Sequence, residues 1–377
     1  MKIAYDLRRI KNPGIGRYMK CLVEAVLARA PEHEYLLIVP PEGVEIDRQS
    51  NAQVEVVCCS LKYYSVREQI ELPWILRRHR IDLFHSPHFN LPLASSCPMI
   101  ATLHDVIFLA CPEDLPSRLG RTYYRGMMEA TVRRAKRIIT VSEFSKRDIH
   151  RCLHAESAEI DVVHSGVDPY FTRVDDPIAI QEVLGRFGIR GDYVFYTGIY
   201  KPRKNHAVLM RSFARLLAKG ANAQLVLGGP LEEGKKELRA LATDLGIGER
   251  VLFTGLVSDG ELRVLYSAGR VYACPSLYEG FGFTVLEAMA CGTPVVSSSE
   301  TSLPEVAGSA ALYADARNTE EFGAALYQSF TDSNLRERLI KAGKANVKRF
   351  CWTRAAEQTL QVYERVMPAP STGAAHA

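Results

Sequence analysis

Short apolar runs alternate with longer amphipathic stretches along the chain, and this alternation is the feature that most constrains its fold. In the first half the apolar runs predict β-strands at 3–6, 35–39, 54–57, 83–85, 100–103, 138–141 and 160–163. In the second half they predict strands at 193–196, 224–227, 251–253, 271–273, 294–297 and 311–313. Helical periodicity lies between them, at 17–29, 67–80, 121–135, 145–152, 205–219, 235–245, 261–268, 284–290, 319–329 and 334–348. Because strands that alternate with helices form parallel sheets covered on both faces, we predict an α/β protein with two Rossmann-like domains.

The two series of strands divide the chain, and its length of 377 residues also favours two domains over one. We predict an N-terminal domain over 1–172, a C-terminal domain over 173–352 and a final helix over 353–367 that begins at Thr353. Residues 368–377 are rich in Pro, Ala, Ser and Gly and are predicted to form a disordered tail. Sheets of this kind bind ligands beyond the carboxyl ends of their strands, so we expect the site in the cleft between the domains.

Composition and charge exclude several classes of protein. A chain that is 47% hydrophobic and 24% charged is typical of globular proteins, and its net charge of +4 gives no argument for nucleic-acid binding. The nine cysteines include no C-x-x-C pair, which favours a reducing compartment and argues against a zinc site. Charges at Lys2 and Asp6 come too early for a signal peptide, and no apolar run is long enough to span a bilayer. We therefore expect a cytoplasmic protein that is soluble or rests on a membrane surface.

The segment after the strand at 271–273 carries the strongest chemical signal. Gly280 and Gly282 let the backbone approach a ligand, and the N–H groups and dipole of the helix that follows favour an anion such as a diphosphate. Glu279 lies in the loop and Glu287 about one turn into the helix, so the two carboxylates reach different parts of one ligand. A carboxylate accepts hydrogen bonds from sugar hydroxyls, including the pair on a ribose. Taken alone, each glutamate is more simply explained as a solvated side chain.

A second signal follows the strand at 193–196, in the stretch that begins at Gly198. Arg203 and Lys204 lie just before a helix, where anions are already favoured. Fixed cations stabilise a departing diphosphate in the transition state without a protein nucleophile. The alternative interpretation is a solvated basic turn.

Two weaker signals lie in the first half of the chain. Gly14 and Gly16 separate the first strand from a helix and form either an anion-binding loop or a plain turn. They do not complete a dinucleotide-binding fingerprint, because Met19 replaces its third glycine. His104 follows the strand at 100–103, where it either contacts a sugar hydroxyl or caps the strand as a structural residue.

The string that runs from Glu279 through Glu287-Ala288-Met289-Ala290-Cys291-Gly292-Thr293-Pro294 resembles the E-x7-E signature of the family 4 retaining glycosyltransferases. The resemblance covers nearly the whole chain and implies the GT-B fold, in which two Rossmann-like domains face each other across a cleft. It implies that the second domain binds a nucleotide-sugar donor and the first an acceptor, with the helix over 353–367 packed back on the first domain. Many members carry an arginine where this chain has Ile199, and the sequence here is similar to the P-R-K-N subgroup, in which Arg203 supplies that charge.

The resemblance also implies a role for each candidate residue. The catalytic set is Glu279, Lys204, Arg203 and His104, which orient the donor sugar or stabilise the departing diphosphate. The donor-binding set is Gly14, Gly16, Gly198, Gly280, Phe281, Gly282, Phe283, Thr284 and Glu287, with Glu287 on the nucleotide ribose.

The implied reaction moves a hexose onto a glycan or a lipid-linked saccharide in surface polysaccharide biosynthesis. The P-R-K-N and His-Asp features resemble bacterial mannosyltransferases, which favours GDP-mannose as the donor. No cofactor is implied, and we expect no metal ion because the two cations take the role of magnesium and no D-x-D sequence occurs. A UDP-sugar donor, a nucleotide-sugar epimerase of the same fold and a non-catalytic binding module stay open as alternatives.

Basic and aromatic residues are interleaved between residues 118 and 137. The basic ones are Arg118, Arg121, Arg125, Arg133, Arg134, Lys136 and Arg137, and between them stand Tyr123, Tyr124, Met127 and Met128. Such a helix either rests on anionic lipid or packs its Tyr and Met side chains into the core. A lipid-linked acceptor would make peripheral contact with the inner face of the cytoplasmic membrane useful.

Overall fold

The computed structural model describes residues 1–12, 14–47 and 51–367, so the tail predicted at 368–377 lies outside the described residues. The chain divides into two units. The first consists of Met1–Ala110, Leu115–Gly166 and the residues from Phe350 onward, and the second of Cys111–Asp114 and Val167–Arg349. Each unit contains a sheet of parallel strands accompanied by helices, which confirms the predicted α/β class.

The sheet of the first unit is built from apolar strands that are buried at its centre. Its strands are β1 (Lys2–Asp6), β2 (Glu34–Val39), β3 (Gln53–Cys58), β4 (Leu83–Ser86), β5 (Met99–Thr102), β6 (Arg137–Thr140) and β7 (Ile160–Val162). They lie in the order β3-β2-β1-β4-β5-β6-β7. Ala4 of β1 pairs with Leu36 on one side and with Phe84 on the other, and all three side chains are buried. The order reverses between β1 and β4, so the loops after these two strands flank the point where such sheets bind ligands.

Helices accompany this sheet, and serine side chains cap the start of two of them. The helices are α1 (Ile15–Arg29), α2 (Glu68–Arg78), α3 (Ile107–Ala110), α4 (Arg118–Arg134) and α5 (Glu143–Leu153). The hydroxyl of Ser117 accepts from the N–H of Gly120 and so begins α4 three residues before the predicted start. Ser142 caps α5 in the same way by accepting from the N–H of Ser145.

The second unit repeats the alternation of strands and helices. Its strands are β8 (Tyr193–Thr197), β9 (Gln224–Gly228), β10 (Val251–Gly255), β11 (Val271–Cys274), β12 (Val295–Ser298) and β13 (Ala311–Ala314). Its helices are α6 (Pro177–Arg186), α7 (His206–Ala218), α8 (Lys235–Asp244), α9 (Asp259–Ala268), α10 (Phe283–Ala290), α11 (Leu303–Ala307), α12 (Thr319–Thr331) and α13 (Ser333–Val347). The strand order is β10-β9-β8-β11-β12-β13, the order of a dinucleotide-binding Rossmann sheet, with its reversal between β8 and β11. The loops that follow β8 and β11 therefore meet at the expected ligand-binding edge of this unit.

The last helix, α14 (Trp352–Val366), belongs to the first unit. A buried polar chain fixes it there, because the hydroxyl of Tyr363 lies 2.6 Å from the hydroxyl of Tyr5 and 2.6 Å from Nδ1 of His85. Gly166 allows the close approach of α14, since a Cβ at this position would lie 2.4 Å from the backbone nitrogen of Trp352. Among the described residues, no helix combines the length and the apolar character that crossing a membrane requires.

Candidate active site

The loop between β11 and α10 has a backbone that requires glycine at its last position. Gly282 precedes α10 with φ of 110°, in the left-handed region that side-chain-bearing residues rarely adopt. A Cβ on Gly282 would also lie 2.9 Å from Cδ2 of Leu303. The hydroxyl of Ser302 donates to the carbonyl oxygens of Glu279 and Phe281, and this holds the loop in place.

The basic turn after β8 is fixed by Asn205. Residues Pro202–Lys204 form a single 3-10 turn, and Asn205 follows it in the left-handed conformation with φ of 55°. The side-chain amide of Asn205 donates to the carbonyl oxygens of Pro275 and Ala316 at 3.2 and 2.6 Å. Asn205 therefore ties this turn to the segment after β11, and it explains why asparagine follows the two basic residues.

The two loops bring Lys204 and Glu279 into direct contact. Nζ of Lys204 lies 2.5 Å from Oε1 of Glu279, and each side chain is only 14% exposed. Burial raises the pKa of Glu279, but the positive charges of Lys204 and Arg203 outweigh it, so the pKa lies below its ordinary value. Glu279 is therefore an ionised carboxylate at neutral pH, able to accept hydrogen bonds from hydroxyl groups. A solvated loop glutamate and a solvated basic turn are both excluded for this pair.

Arg203 joins the same cluster through a carboxylate that sequence reasoning did not find. Its Nε donates to Oδ2 of Asp114 at 2.6 Å, and its NH1 donates to the carbonyl oxygen of Tyr278 at 3.3 Å. NH1 also lies 3.9 Å from Oε2 of Glu279. Asp114 stands 89 residues before Arg203 in the sequence, in a 3-10 turn at Pro112–Asp114, and no local motif signals it.

Glu287 is buried inside the second unit rather than solvated. It lies on α10 with 2% of its surface exposed, and the hydroxyl of Tyr266 donates to its Oε2 at 3.1 Å. Burial and the charge of Glu287 raise the pKa of Tyr266, so this hydroxyl keeps its proton and remains a donor. The solvated alternative for Glu287 is therefore wrong.

The remaining donor-binding candidates of the second unit lie around these charges. Gly198 directly follows β8 and donates its N–H to the carbonyl oxygen of Gly228. Gly280 lies in the loop beside Glu279, and Thr284 lies in the first turn of α10. Phe281 is buried, and its ring packs edge to face against Phe283 with centroids 5.1 Å apart.

The first-half candidates all lie in the first unit. Gly14 precedes α1 with φ of 76°, a backbone conformation that favours glycine, and a Cβ on Gly16 would lie 1.9 Å from the carbonyl oxygen of Ile10. The conformation and packing of their own loop therefore explain both glycines. Nε2 of His104 lies 3.1 Å from the carbonyl oxygen of Pro87 and must carry the proton, because a carbonyl only accepts. Burial lowers the pKa of His104 to about 4. The imidazole is therefore neutral, and its Nδ1 is an acceptor.

The basic run between residues 118 and 137 divides between core and surface. Tyr124, Met127 and Met128 of α4 are buried, so packing into the core is the correct interpretation for them. Tyr123 remains exposed on the same helix, together with Leu119.

The chain matches known proteins over nearly its whole length. Residues 188–346 match the model of the family described as glycosyl transferases group 1, and residues 14–171 match that of glycosyltransferase family 4. The O-antigen chain mannosyltransferase B of Escherichia coli is 31% identical over 97% of this chain and 100% of its own.

Solved structures share the fold over nearly the whole chain. A sucrose-phosphate synthase from Thermosynechococcus elongatus aligns with a TM-score of 0.77 and 19% identity, over 98% of this chain and all of its own. WaaG, a glycosyltransferase involved in lipopolysaccharide biosynthesis, aligns with a TM-score of 0.73 and 17% identity, over 97% of this chain and all of its own.

Proposed function

The chain belongs to the family 4 glycosyltransferases with the GT-B fold, and from this premise we propose that it is a retaining mannosyltransferase. The donor is GDP-mannose, and the acceptor is a glycan or a lipid-linked saccharide of surface polysaccharide biosynthesis. The mannosyl specificity is supported by the relative from Escherichia coli, whose name describes an O-antigen chain mannosyltransferase. The observation that carries the proposal is the buried cluster of Lys204, Arg203 and Glu279.

We assign each part of the donor to a different set of residues. Glu287 binds the ribose, the glycine loop and the start of α10 lie along the diphosphate, and the ionised Glu279 accepts hydrogen bonds from the sugar hydroxyls. Lys204 and Arg203 stabilise the negative charge that develops on the diphosphate as the sugar leaves. His104 accepts a hydrogen bond from a sugar hydroxyl through Nδ1.

Retention follows from attack on the same face as the leaving group. The acceptor hydroxyl oxygen forms a bond to the anomeric carbon while the bond from that carbon to the phosphate oxygen breaks. The acceptor proton passes to the departing phosphate, so the products are the glycoside and GDP. Glu279 and Asp114 are both paired with cations, which makes them poor nucleophiles and agrees with a reaction that forms no glycosyl-enzyme bond.

Lys204 and Arg203 also supply the positive charge that a magnesium ion supplies in other transferases, so EDTA should leave the rate unchanged.

A donor screen tests the proposal. Purified protein is incubated with GDP-mannose, UDP-glucose, UDP-galactose or UDP-N-acetylglucosamine, and sugar transfer and donor hydrolysis are measured with and without EDTA. GDP-mannose should give product. If a UDP-sugar reacts and GDP-mannose does not, the donor assignment is wrong.

The same screen separates the alternatives. Conversion of the donor sugar to an isomer without any acceptor would identify an epimerase. Binding of nucleotide sugars without transfer, hydrolysis or conversion would identify a binding module.

We also propose contact with the cytoplasmic face of the membrane, through a different surface from the one that the sequence suggested. Val66, Ile70 and Trp74 follow one another at intervals of four residues along α2 and the turn before it, and they are 80%, 67% and 58% exposed. Exposed arginines, Arg77 and Arg78, end the helix, and the guanidinium of Arg78 lies 5.1 Å from the centre of the Trp74 ring. An apolar stripe with Trp and flanking arginines suits an anionic bilayer surface, where a lipid-linked acceptor resides.

A further inference from the structure

We infer that Asp114 is a positioning residue of the transferase, which holds the guanidinium of Arg203 in the orientation that stabilises the leaving diphosphate. This inference rests on the proposed function, because that function places Arg203 on the leaving group. Asp114 itself contacts neither donor nor acceptor in this account and acts only through Arg203.

The geometry of the pair fixes the plane of the guanidinium. Nε of Arg203 donates to Oδ2 of Asp114 at 2.6 Å, and NH1 donates to the carbonyl oxygen of Tyr278 at 3.3 Å. Because a guanidinium is planar and rigid, two anchors on different nitrogens determine where the rest of the group points. The side chain of Asp114 is 2% exposed and that of Arg203 is 11% exposed, so solvent screens their attraction little.

The carboxylate is itself held by a turn that leaves it little freedom. The N–H of Asp114 donates to the carbonyl oxygen of Cys111 at 3.0 Å, and this closes the 3-10 turn at Pro112–Asp114. Residues Cys111–Asp114 belong to the second unit, although Ala110 and Leu115 on either side of them belong to the first. A short stretch from the first half of the chain thus supplies a residue to the charge cluster of the second unit.

Asp114 also sets the charge of the cluster. Lys204 and Arg203 are balanced by Glu279 and Asp114, so the four side chains sum to zero before the donor arrives. Oδ1 of Asp114 is buried and has no hydrogen-bond partner among the described residues, so its contacts in the described chain are made through Oδ2 to Arg203. Loss of the carboxylate would leave a buried guanidinium without its strongest partner, and the side chain would turn to find another.

Asp114→Asn tests this role, because asparagine has the same shape and lacks the charge. We expect kcat for sugar transfer or donor hydrolysis to fall about tenfold to a hundredfold, as when an oriented charge-stabilising group is lost. The KM for the donor should not rise, because the variant makes the cluster more positive and an anionic donor is still attracted. GDP affinity, measured by calorimetry, should likewise not fall.

Two further variants separate positioning from a structural role. In an Arg203→Met background, Asp114→Asn should cause no further loss of kcat, because its effect requires Arg203. The matched control is Asp161→Asn in the first unit, where Oδ2 of Asp161 accepts from Nε of Arg137 at the same 2.6 Å. This control should lower the melting temperature and leave kcat within about twofold.

The outcomes distinguish this inference from the proposed function. Wild-type protein that is inactive with every donor overturns both. Active wild-type protein with an Asp114→Asn variant of normal kcat shows that Asp114 is only structural. Losses of kcat that multiply in the double variant also contradict the inference, since Asp114 would then act independently of Arg203.

Discussion

At the residue scale, Lys204 and Glu279 form an ion pair, so a substitution of either residue also affects the other. Their ion pair is largely buried, so removing one partner leaves the other charge without compensation. A loss of activity in a single variant therefore has two causes: the catalytic charge is lost, and the remaining partner of the ion pair is no longer held in place. The exposed pair of Lys201 and Glu233, 3.4 Å apart in the same part of the chain, carries no such penalty and is a suitable control.

Replacing Lys204 by alanine should lower kcat about tenfold to a thousandfold, because one of the two cations on the leaving diphosphate is lost. Initial rates at saturating donor measure the effect, and Lys201→Ala should keep normal rates. The double variant Lys204→Met with Glu279→Gln removes both charges, so it should be more stable to urea than Lys204→Ala while remaining as inactive. Unchanged turnover of Lys204→Ala would remove this residue from the mechanism.

The sequence predicted those residues of the candidate site that stand together in one short motif. Glu279, Glu287, Arg203 and Lys204 stand in short strings at the ends of strands, where a single motif signals each pair. Asp114 could not be predicted, because only the folded chain brings it to Arg203 across 89 residues of sequence. Burial of Glu287 was equally invisible, since a glutamate in a helix is by default solvated.

At the element scale, α2 shows why an amphipathic pattern does not identify the face that is buried. Leu72 and Leu76 of this helix are buried, while Ile70 and Trp74 are exposed. The sequence placed the central strands correctly because their apolar runs are buried, as in β1, β2, β9 and β11. For α4 the sequence left two interpretations open, because periodicity alone cannot tell a core stripe from a surface stripe. The buried Tyr124, Met127 and Met128 show that one stripe of α4 packs into the core.

Vesicle binding tests the exposed stripe of α2 through its own tryptophan. The chain has two tryptophans, and Trp352→Phe leaves Trp74 as the single reporter. We expect a blue shift of Trp74 emission, and cosedimentation, with vesicles containing phosphatidylglycerol at low salt, and much less of both with pure phosphatidylcholine.

Ile70→Ser should weaken this binding about thirtyfold, since burial of the side chain in lipid contributes about 2 kcal/mol. Ile178→Ser removes another exposed isoleucine, 78% exposed against 67% for Ile70, from α6 of the other unit and should bind as well as the parent. Absence of binding to anionic vesicles would contradict membrane contact. A change of oligomeric state in Ile70→Ser, measured by light scattering, would instead assign the stripe to self-association.

The attachment of α14 should depend on pH through His85. This ring lies between the hydroxyl of Tyr363 and that of Thr102, at 2.6 and 2.9 Å, and burial lowers its pKa to about 3. The unfolded chain binds a proton near the ordinary pKa of 6.5 while the folded chain does not, so stability falls as the pH drops from 6.5 towards 3.

This histidine should therefore contribute up to about 1.4 kcal/mol per pH unit to the slope of the unfolding free energy over that interval. Urea unfolding between pH 7 and pH 4 measures the slope. It should be smaller in His85→Gln than in wild type, and unchanged in His154→Asn, which alters an exposed histidine at the end of α5. Equal slopes in all three proteins would show that His85 takes up no proton on unfolding.

At the scale of the whole molecule, strand order explains why the site forms where it does. In the second unit the sheet reverses between β8 and β11, and the loops after these strands carry Lys204 and Glu279. The first unit has the same reversal between β1 and β4, and there Arg8, directly after β1, forms buried ion pairs with Asp6 and Glu68. The sequence predicted both sheets because alternation is a property of the whole chain, whereas the acceptor-binding residues have no comparable signature.

The nucleotide should therefore protect the second unit first. Hydrogen exchange measured with GDP at about 100 times its Kd should show slower exchange in residues 198–205 and 275–290, and binding should raise the unfolding free energy by about 2.7 kcal/mol. Glu287→Ala should reduce the protection, because the ribose loses its carboxylate. Glu320→Ala, which removes an exposed glutamate paired with Arg215, should keep this protection.

UDP at the same concentration should protect less than GDP if the donor is GDP-mannose. Protection confined to the first unit would show that the donor is bound by the other half of the chain, and the roles assigned to Glu279 and Glu287 would be wrong.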